Sequence, residues 1–481
     1  MKKSSGVLGV VVVLALAYTA GSWYVGQQAQ KAIEESVDQA NQRVIKILGP
    51  DFNGSGLNIA ISEYKRHVFS SDVVYSLRLK DVDGEPLEYL LSDHLQHGPF
   101  PVGALKDGQF APLLAYSKAR MIPSGATQKW FDSLNGESPV EVVTKVGFSG
   151  QGQSTWQFKP LDVAAEGEAF KFSGGAVEVT FSNNFENSAT RGRFESFSLV
   201  SAADDEKVQF NGIAFSNDTV TSGEKHVKVQ SSATIDSLDV SAGGGPGIQV
   251  EKMTIGLDSQ QNDNLLDGSL RYDFGRIKVD DVDLGSVSVA ANATRLDAAA
   301  LGALTAEYDA IKARHGVKDD GILDLTEAES EVLRGKLLDV LASNPSLAIE
   351  PATWKNDKGE SVVSIRLDLN GPADKGAAAQ STLDAFLPGI LKLVSLDISV
   401  SRPMFVKAFG QLQEEVPAGQ AEDLGAMIFD QYAGKLAQAG LAQVEGDKAA
   451  SSIRYENGEI EANGKKMPVS EFMQRALVLI M

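Results

Sequence analysis

The chain contains no cysteine among its 481 residues. Disulfides, thiolate nucleophiles, cysteine-ligated zinc and an acylated N-terminal cysteine are therefore excluded together. Positive charge is in deficit, with 44 Lys and Arg against 64 Asp and Glu, a formal net charge of −20. No dense basic run offsets that field, so nucleic acid is not an expected partner. Histidine is scarce, at His67, His94, His97, His226 and His315. Only Asp93-His94-Leu95-Gln96-His97 brings two of them near an acid. Three apart, His94 and His97 could share a metal on a helix. Gly98-Pro99-Phe100-Pro101 comes at once after them and disfavours a regular helix there, so a turn with His97 bonded to backbone is the preferred reading. The pentapeptide Gly-x-Ser-x-Gly of a nucleophile elbow is missing. Gly150-Gln151-Gly152 and Gly243-Gly244-Gly245 lack the setting of a dinucleotide site and the lysine of a P-loop. The acid run Asp280-Asp281-Val282-Asp283 departs from the EF-hand order and reads as a solvated strand end. No catalytic residue, cofactor or metal site is assigned, and an enzyme has no positive support.

Long apolar runs are also missing, with one exception. From Gly6 to Gly26 the chain carries no charge for 21 residues, close to the roughly 20 that a helix needs to cross a bilayer core. Lys2 and Lys3 precede it and favour a cytoplasmic start at residues 1–5. Residues 6–26 read as a transmembrane anchor, with Val7 and Leu14 in the hydrocarbon and Trp23 and Tyr24 at the far interface. The rival reading is a signal peptide cut at Ala15-Leu16-Ala17. Length and flanking aromatics favour the anchor, and either reading exports the remainder. The expected arrangement is single-pass, with the bulk of the chain on the outer side of the membrane and the bilayer as a partner.

Beyond the apolar run the sequence is of ordinary globular character, the whole chain being 43% hydrophobic and 22% charged. Ile33, Val37, Val44, Ile45 and Leu48 recur at helical spacing, and Gly49-Pro50 stops them, so residues 27–50 read as a helical stalk. Period-two alternation then dominates: Leu57, Ile59, Ile61; Val73, Tyr75, Leu77, Leu79; Val177 to Phe181; Val363 to Leu369; Leu396 to Val400. That period gives strands with one buried and one wet face. Asn-Gly turns begin at Asn53, Asn135, Asn211, Asn370, Asn457 and Asn463, and Ile453–Glu461 reads as a two-residue hairpin. Helices are expected at 297–315, from a capping box at Thr326-Glu327-Ala328-Glu329, and at 421–439. Ala242–Gly247 is the most loop-like stretch. The fold class is α+β: an N-terminal transmembrane helix and stalk, then long twisted antiparallel β-sheets with a few late helices. The expected organisation is a β-rich periplasmic region at 51–296, a helical insertion at 297–345 and a C-terminal α+β region at 346–481.

Several segments together resemble the YdgA-like family of Gram-negative inner-membrane-anchored periplasmic proteins, a domain of unknown function. They are Gly21-Ser22-Trp23-Tyr24-Val25-Gly26, Tyr64–Ser71, His94–Pro101, Phe172-Ser173-Gly174-Gly175, Tyr455-Glu456-Asn457-Gly458 and Asn463–Pro468. The most specific is His97-Gly98-Pro99-Phe100-Pro101. The resemblance implies a location, in the inner membrane and the periplasm, and an architecture, and no catalytic residue comes with it. Tyr64, His94, His97, Gly98, Pro99, Phe100 and Pro101 are thus motif residues of unassigned role. From the residues alone, Gly98–Pro101 reads as a rigid crossover between sheets that buries one ring, with Tyr64 and Phe69 in the core.

Two functional readings stand side by side. One is a non-enzymatic protein that binds or transfers a lipid-like apolar ligand in a β-sheet groove. The other is a structural or interaction component of the envelope, self-associating through the stalk as a homo-oligomer, with no ligand.

Overall fold

The computed structural model describes residues 57–477 apart from 81–84, 166, 183–185, 202–204, 224–225, 281, 316–324, 373–388, 414–416 and 457. It also describes six helical positions at 30, 31, 34, 37, 38 and 41. The anchor residues Val7, Leu14, Trp23 and Tyr24, most of the 27–50 stalk, and the turn residues Asn53 and Asn457 lie outside the described residues. Among the described residues no helix is long and apolar enough to cross a membrane. The chain divides into two compact units, Met1–Thr219 and Val220–Met481.

Among the described residues of the first unit the strands pair antiparallel. Strands β1 (Asn58–Arg66), β2 (Ser70–Lys80), β3 (Pro86–His97), β4 (Ala115–Ile122), β5 (Val140–Val146) and β6 (Gly152–Phe158) pair in chain order. Strand β7 (Leu161–Ala165) pairs with β8 (Glu168–Phe172), and β6 with β9 (Gly175–Ser182). Strand β10 (Asn187–Ser201) takes β9 along its first half and β8 along its second. Strand β11 (Glu206–Thr221) comes next in the chain. Cross-strand partners point to the same side of a sheet, so Ala119, Met121 and Val142 share a face. Between β4 and β5, helix α2 (Gln128–Ser133) brings Phe131 onto that face and closes a core with Val140. On the opposite face helix α1 (Val102–Lys106) packs Ala104 with Leu113, Tyr116 and Val143.

The Phe172–Gly175 motif is a joint in this sheet. The Ser173 hydroxyl oxygen accepts the backbone N–H groups of Glu195 and Ser196 at 3.1 and 2.9 Å. Gly174 has φ +75°, and a Cβ there would stand 2.6 Å from the Phe158 carbonyl oxygen. The chain turns from β8 into β9 at a place where only glycine fits. Rings of Phe158, Phe172 and Phe194 meet edge-on or tilted beside it.

The second unit continues with strands as long as β10 and β11: β12 (His226–Ser241), β13 (Ile248–Asn262), β14 (Leu265–Val279) and β15 (Val282–Asp297), each of 15 or 16 residues. Helices α3 (Ala298–His315) and α4 (Glu327–Leu341) come next. Thr326 caps α4 as its sequence implies, and Glu329 reaches back to the Thr326 N–H at 3.0 Å. Strand β16 (Ser346–Asn356) then pairs directly with β15. The helical insertion therefore interrupts one sheet, and the strands before and after it are neighbours. Strands β17 (Gly359–Leu369), β18 (Leu391–Ser401), β20 (Lys448–Glu456), β21 (Glu459–Ala462) and β22 (Lys465–Pro468) extend it in that order. The short β19 (Gln443–Glu445) pairs with the start of β20. Helices α5 (Arg402–Leu412) and α6 (Ala418–Gln438) meet through Phe405 and Phe429. Helix α7 (Val469–Leu477) joins α6 over Ile460, Ala462 and Met467.

Candidate functional site

The motif histidines lie on a strand, and three residues along a strand reverse the face. His94 and His97 accordingly project to opposite sides of β3 and cannot share a metal. No cluster of three metal-ligating side chains occurs among the described residues. His97 is inside, 1% exposed. Its Nε2 stands 3.4 Å from Ser71 Oγ, which accepts the Tyr64 hydroxyl at 3.2 Å. The backbone N–H of His97 donates to the Phe69 carbonyl at 3.1 Å. Ser71 is fully buried, and this Tyr–Ser–His chain ties three strands together. Burial holds the Tyr64 hydroxyl above its ordinary pKa, opposed by its bond to Ser71. Asp93 belongs to the same face and takes the Ser117 hydroxyl at 2.6 Å. Burial pushes its carboxyl up, with the Ser117 bond acting against that.

On the outer side, His94 Nδ1 is 2.7 Å from Asp72 Oδ1, and His67 Nε2 is 3.2 Å from Oδ2. The bond from His94 is the main reason the Asp72 carboxyl is held low. A surface groove of about 350 Å³ opens beside it, lined by Phe69, Ser70, His94, Gln96, His97, Pro101 and Val102. Gly98, at φ +112°, begins the turn out of β3. Pro101 then stands at the N-cap of α1, and its carbonyl accepts the Leu105 N–H at 3.1 Å. The motif thus turns the chain onto a helix within the β3–β4 connection, where a crossover between sheets was expected. Phe100 and Phe69 were expected inside, but they are 42% and 46% exposed. Tyr64 is half-buried.

The larger candidate surface lies in the second unit, where the register places apolar side chains in transverse rows. Ser231 faces Leu257, which faces Leu270, then Ala291, Ile349, Ile365, Leu396 and Ile453. The adjacent row runs Ala233, Ile255, Tyr272, Val289, Ala352, Val363 and Ile398. The opposite side of the same strands is polar. Gln230 donates to Asp258 at 2.6 Å, Arg271 to Asp273 at 2.6 Å and Arg366 to Asp368 at 3.2 Å. At its β20–β22 end the apolar side is covered by α6 and α7. Over β12–β14 no helix packs substantially among the described residues. Leu257 on β13 is 39% exposed; Ile349 on β16 and Ile365 on β17, in the part of the sheet that α3, α4 and α5 also reach, are 37% and 39% exposed.

The strands keep one apolar side over 15 residues because their phase slips once. Val227, Val229 and Ile235 give way to Leu238 and Val240; Ile248 and Val250 to Met253 and Ile255; Phe274 to Ile277 and Val279. Asp236, Lys252 and Gly275 drop out of the pairing at that level, and Lys252 has φ +54°. A bulge directs two successive residues to one side, so the slip returns the apolar positions to the same face. The sequence reading, which sought unbroken alternation, missed these strands. The paired slip at a single height was the signal that could have found them.

A model of the family described as bacterial proteins of unknown function, DUF945, matches residues 1–470. The chain is 27% identical over 506 residues to Protein YdgA of Escherichia coli strain K12, covering 98% of this chain and 96% of that one. It is 23% identical over 486 residues to the uncharacterized protein YihF of the same strain, covering 97% and 98%. An uncharacterized protein of Haemophilus influenzae is 26% identical over 154 residues, 32% of this chain and 41% of that one. No solved structure matches.

Proposed function

Since the chain belongs to the DUF945 family, whose function is unknown, we propose from its own residues that it is a membrane-anchored periplasmic protein that binds a lipid-like apolar ligand. The site is the apolar side of β12–β18, and one observation carries the reading. Leu257, Ile349 and Ile365 sit in a single row with more than a third of each side chain exposed. A row of partly exposed apolar side chains on one side of a sheet suits an apolar ligand. From Leu257 on β13 to Ile365 on β17 the row crosses four inter-strand steps, roughly 19 Å at the usual strand spacing. Each acyl methylene covered there contributes about 0.8 kcal/mol. The anchor of residues 6–26 would hold the face close to a source of such chains. The charged opposite side keeps the sheet wet on one side only, which orients the ligand.

The alternative, a self-associating envelope component, would bury the same row against a second copy. A photo-crosslinking residue at Leu257 or Ile349 of the full chain, irradiated in cells, separates the two. Lipid adducts by mass spectrometry, with none at Arg271 on the opposite side, support ligand binding. Covalent dimers instead support self-association. Equal labelling at Leu257 and Arg271, or none at either, removes the proposal.

A further inference from the structure

In the first unit the large apolar side chains left exposed are not scattered. Val68 and Phe69 occupy the β1–β2 turn, Phe100, Val102, Leu105 and Phe110 the β3–β4 connection, and Phe148 the β5–β6 turn. Only Leu199, among the other described residues of that unit, joins them in being so exposed. The antiparallel register sets all three turns at one end of the sheet, since Ser71, Leu95, Ser117, Thr144 and Ser154 share a row just below them. Phe110 and Val102 are the extreme cases, at 72% and 60%. Lys65, Arg66, Lys106, Lys118 and Lys145 stand in or beside the same turns, against Glu63, Asp72 and Asp107. In a chain of net charge −20, this end is locally basic.

The N-terminal helix runs toward that end. Asn41 clamps Ile59 near the far end of β1, accepting its N–H and donating to its carbonyl, both at 2.8 Å. Glu34 is close enough to Tyr64 to act on its hydroxyl, burial being the larger influence there. The helix therefore lies antiparallel to β1. At 1.5 Å per residue, Gln30 is about 16 Å from Asn41 along the axis, level with the last residues of β1. Gly26, the end of the uncharged run, precedes Gln30 by four residues in the sequence. Chain reach alone keeps it within about 14 Å of Gln30.

We propose that this end of the first unit, at Val68, Phe69, Phe100, Val102, Phe110 and Phe148, rests in the headgroup layer of the bilayer beside the anchor. The inference rests on residues 6–26 being a membrane anchor, as the proposed function also does. Aromatic rings flanked by lysine and arginine are the composition that settles at an anionic lipid interface. A second copy of the chain is the competing occupant, but it does not explain the basic flank. The docking would fix the sheet at a set height and orientation, which a single flexible tether cannot do.

The cysteine-free chain permits a direct test. Single variants Phe110→Cys, Phe148→Cys, Lys129→Cys and Leu14→Cys of the full chain are labelled with a polarity-sensitive fluorophore. Each is reconstituted in phosphatidylethanolamine–phosphatidylglycerol vesicles carrying spin-labelled lipid. The proposal expects at least a two-fold loss of emission at 110 and 148, and little change at 129 on the opposite end. Leu14→Cys reports the anchor separately. Quenching at 14 without quenching at 110 and 148 leaves the anchor standing and overturns the docking. No quenching at any of these positions overturns both. Quenching at 110 and 148 that disappears with Phe69→Glu and Val102→Glu confirms the contact. Fluorescence transfer between chains at 110 with no lipid quenching assigns the surface to a second copy and overturns the proposal.

Discussion

The two units use the same alternation of apolar and polar residues and finish it differently. Over β3–β6 the apolar side is closed: Met121 is 7% exposed, Val142 4% and Phe131 5%. Over β13–β17 the apolar side is left more than a third exposed at Leu257, Ile349 and Ile365. At β13 and β14 the difference lies in the connections. Residues 123–139 between β4 and β5 are long enough to carry α2 back across the face. Strands β13 and β14 are joined by Asp263 and Asn264 alone, with Asp263 at φ +53°. A tight turn of that kind extends a sheet but supplies nothing to cover it. A strand pattern therefore encodes an apolar face, and the connection decides whether that face becomes a core.

The sharpest way to break this comparison is to truncate one residue on each face. Phe131→Ala removes a buried ring and should cost about 3–5 kcal/mol, read as a lower denaturation midpoint of the first unit. Leu257→Ala starts from a partly exposed side chain with no helix over it. It should cost less than about 1.5 kcal/mol, below the range for buried leucines, while lowering the yield of lipid adducts at Ile349. If Leu257→Ala proved as costly as Phe131→Ala, something would have to cover that face, and the contrast between the units would fall.

Between these extremes stands the joint at Ser173-Gly174. Gly174→Ala puts a Cβ against the Phe158 carbonyl at a positive φ. The expected loss is about 1–3 kcal/mol from backbone strain, seen as a lower melting temperature. Gly268→Ala in β14 is the matched control, because its nearest neighbour would be 3.7 Å away. It should be close to neutral. Equal losses at the two positions would mean that glycine's weak strand preference, and not the joint, sets the cost.

Much of this was legible in the residues. Antiparallel pairing followed from period two, α4 from its Thr326–Glu329 box, and the β20–β21 hairpin from Asn457-Gly458 between alternating arms. Asn463-Gly464 likewise closes β21 onto β22, with φ +51° and +79°. The same dipeptide misled elsewhere, because positive φ has several uses. Asn135-Gly136 comes after α2, and Gly212 sits inside β11. Helix α5 was not foreseen; Pro403 stands near its start, where proline is well suited to a first helical turn. The exposure of Phe69 and Phe100 was also illegible: apolar type predicts burial on average, and only the gathering of three turns at one end reveals the exception. His94 and His97 were close in sequence, yet the strand places them on opposite faces.

The smallest expected effect has opposite signs in the two units. In the first, burial raises the Asp93 carboxyl, so the folded chain holds that proton more tightly than the unfolded chain. Its contribution is most favourable below the unfolded value, about 3.9. It declines as pH rises toward the folded value, and beyond that the cost is constant. Asp93→Asn keeps an acceptor for the Ser117 hydroxyl and abolishes the titration. The variant should therefore gain on the parent as pH rises from 3 to 7. In the second unit the Arg276 guanidinium, 2.7 Å away, is the main cause of a lowered Asp283 carboxyl. That contribution is present above the unfolded value and is lost as pH falls through the folded one. Both partners are more than a third exposed, so Asp283→Asn should cost less than about 1 kcal/mol near neutrality and nothing in acid. Melting temperature against pH for the two variants should thus diverge in opposite directions from a common acid baseline. Parallel curves would show that Asp93 is not desolvated in solution, and the contrast between a closed face and an open one would lose its electrostatic support.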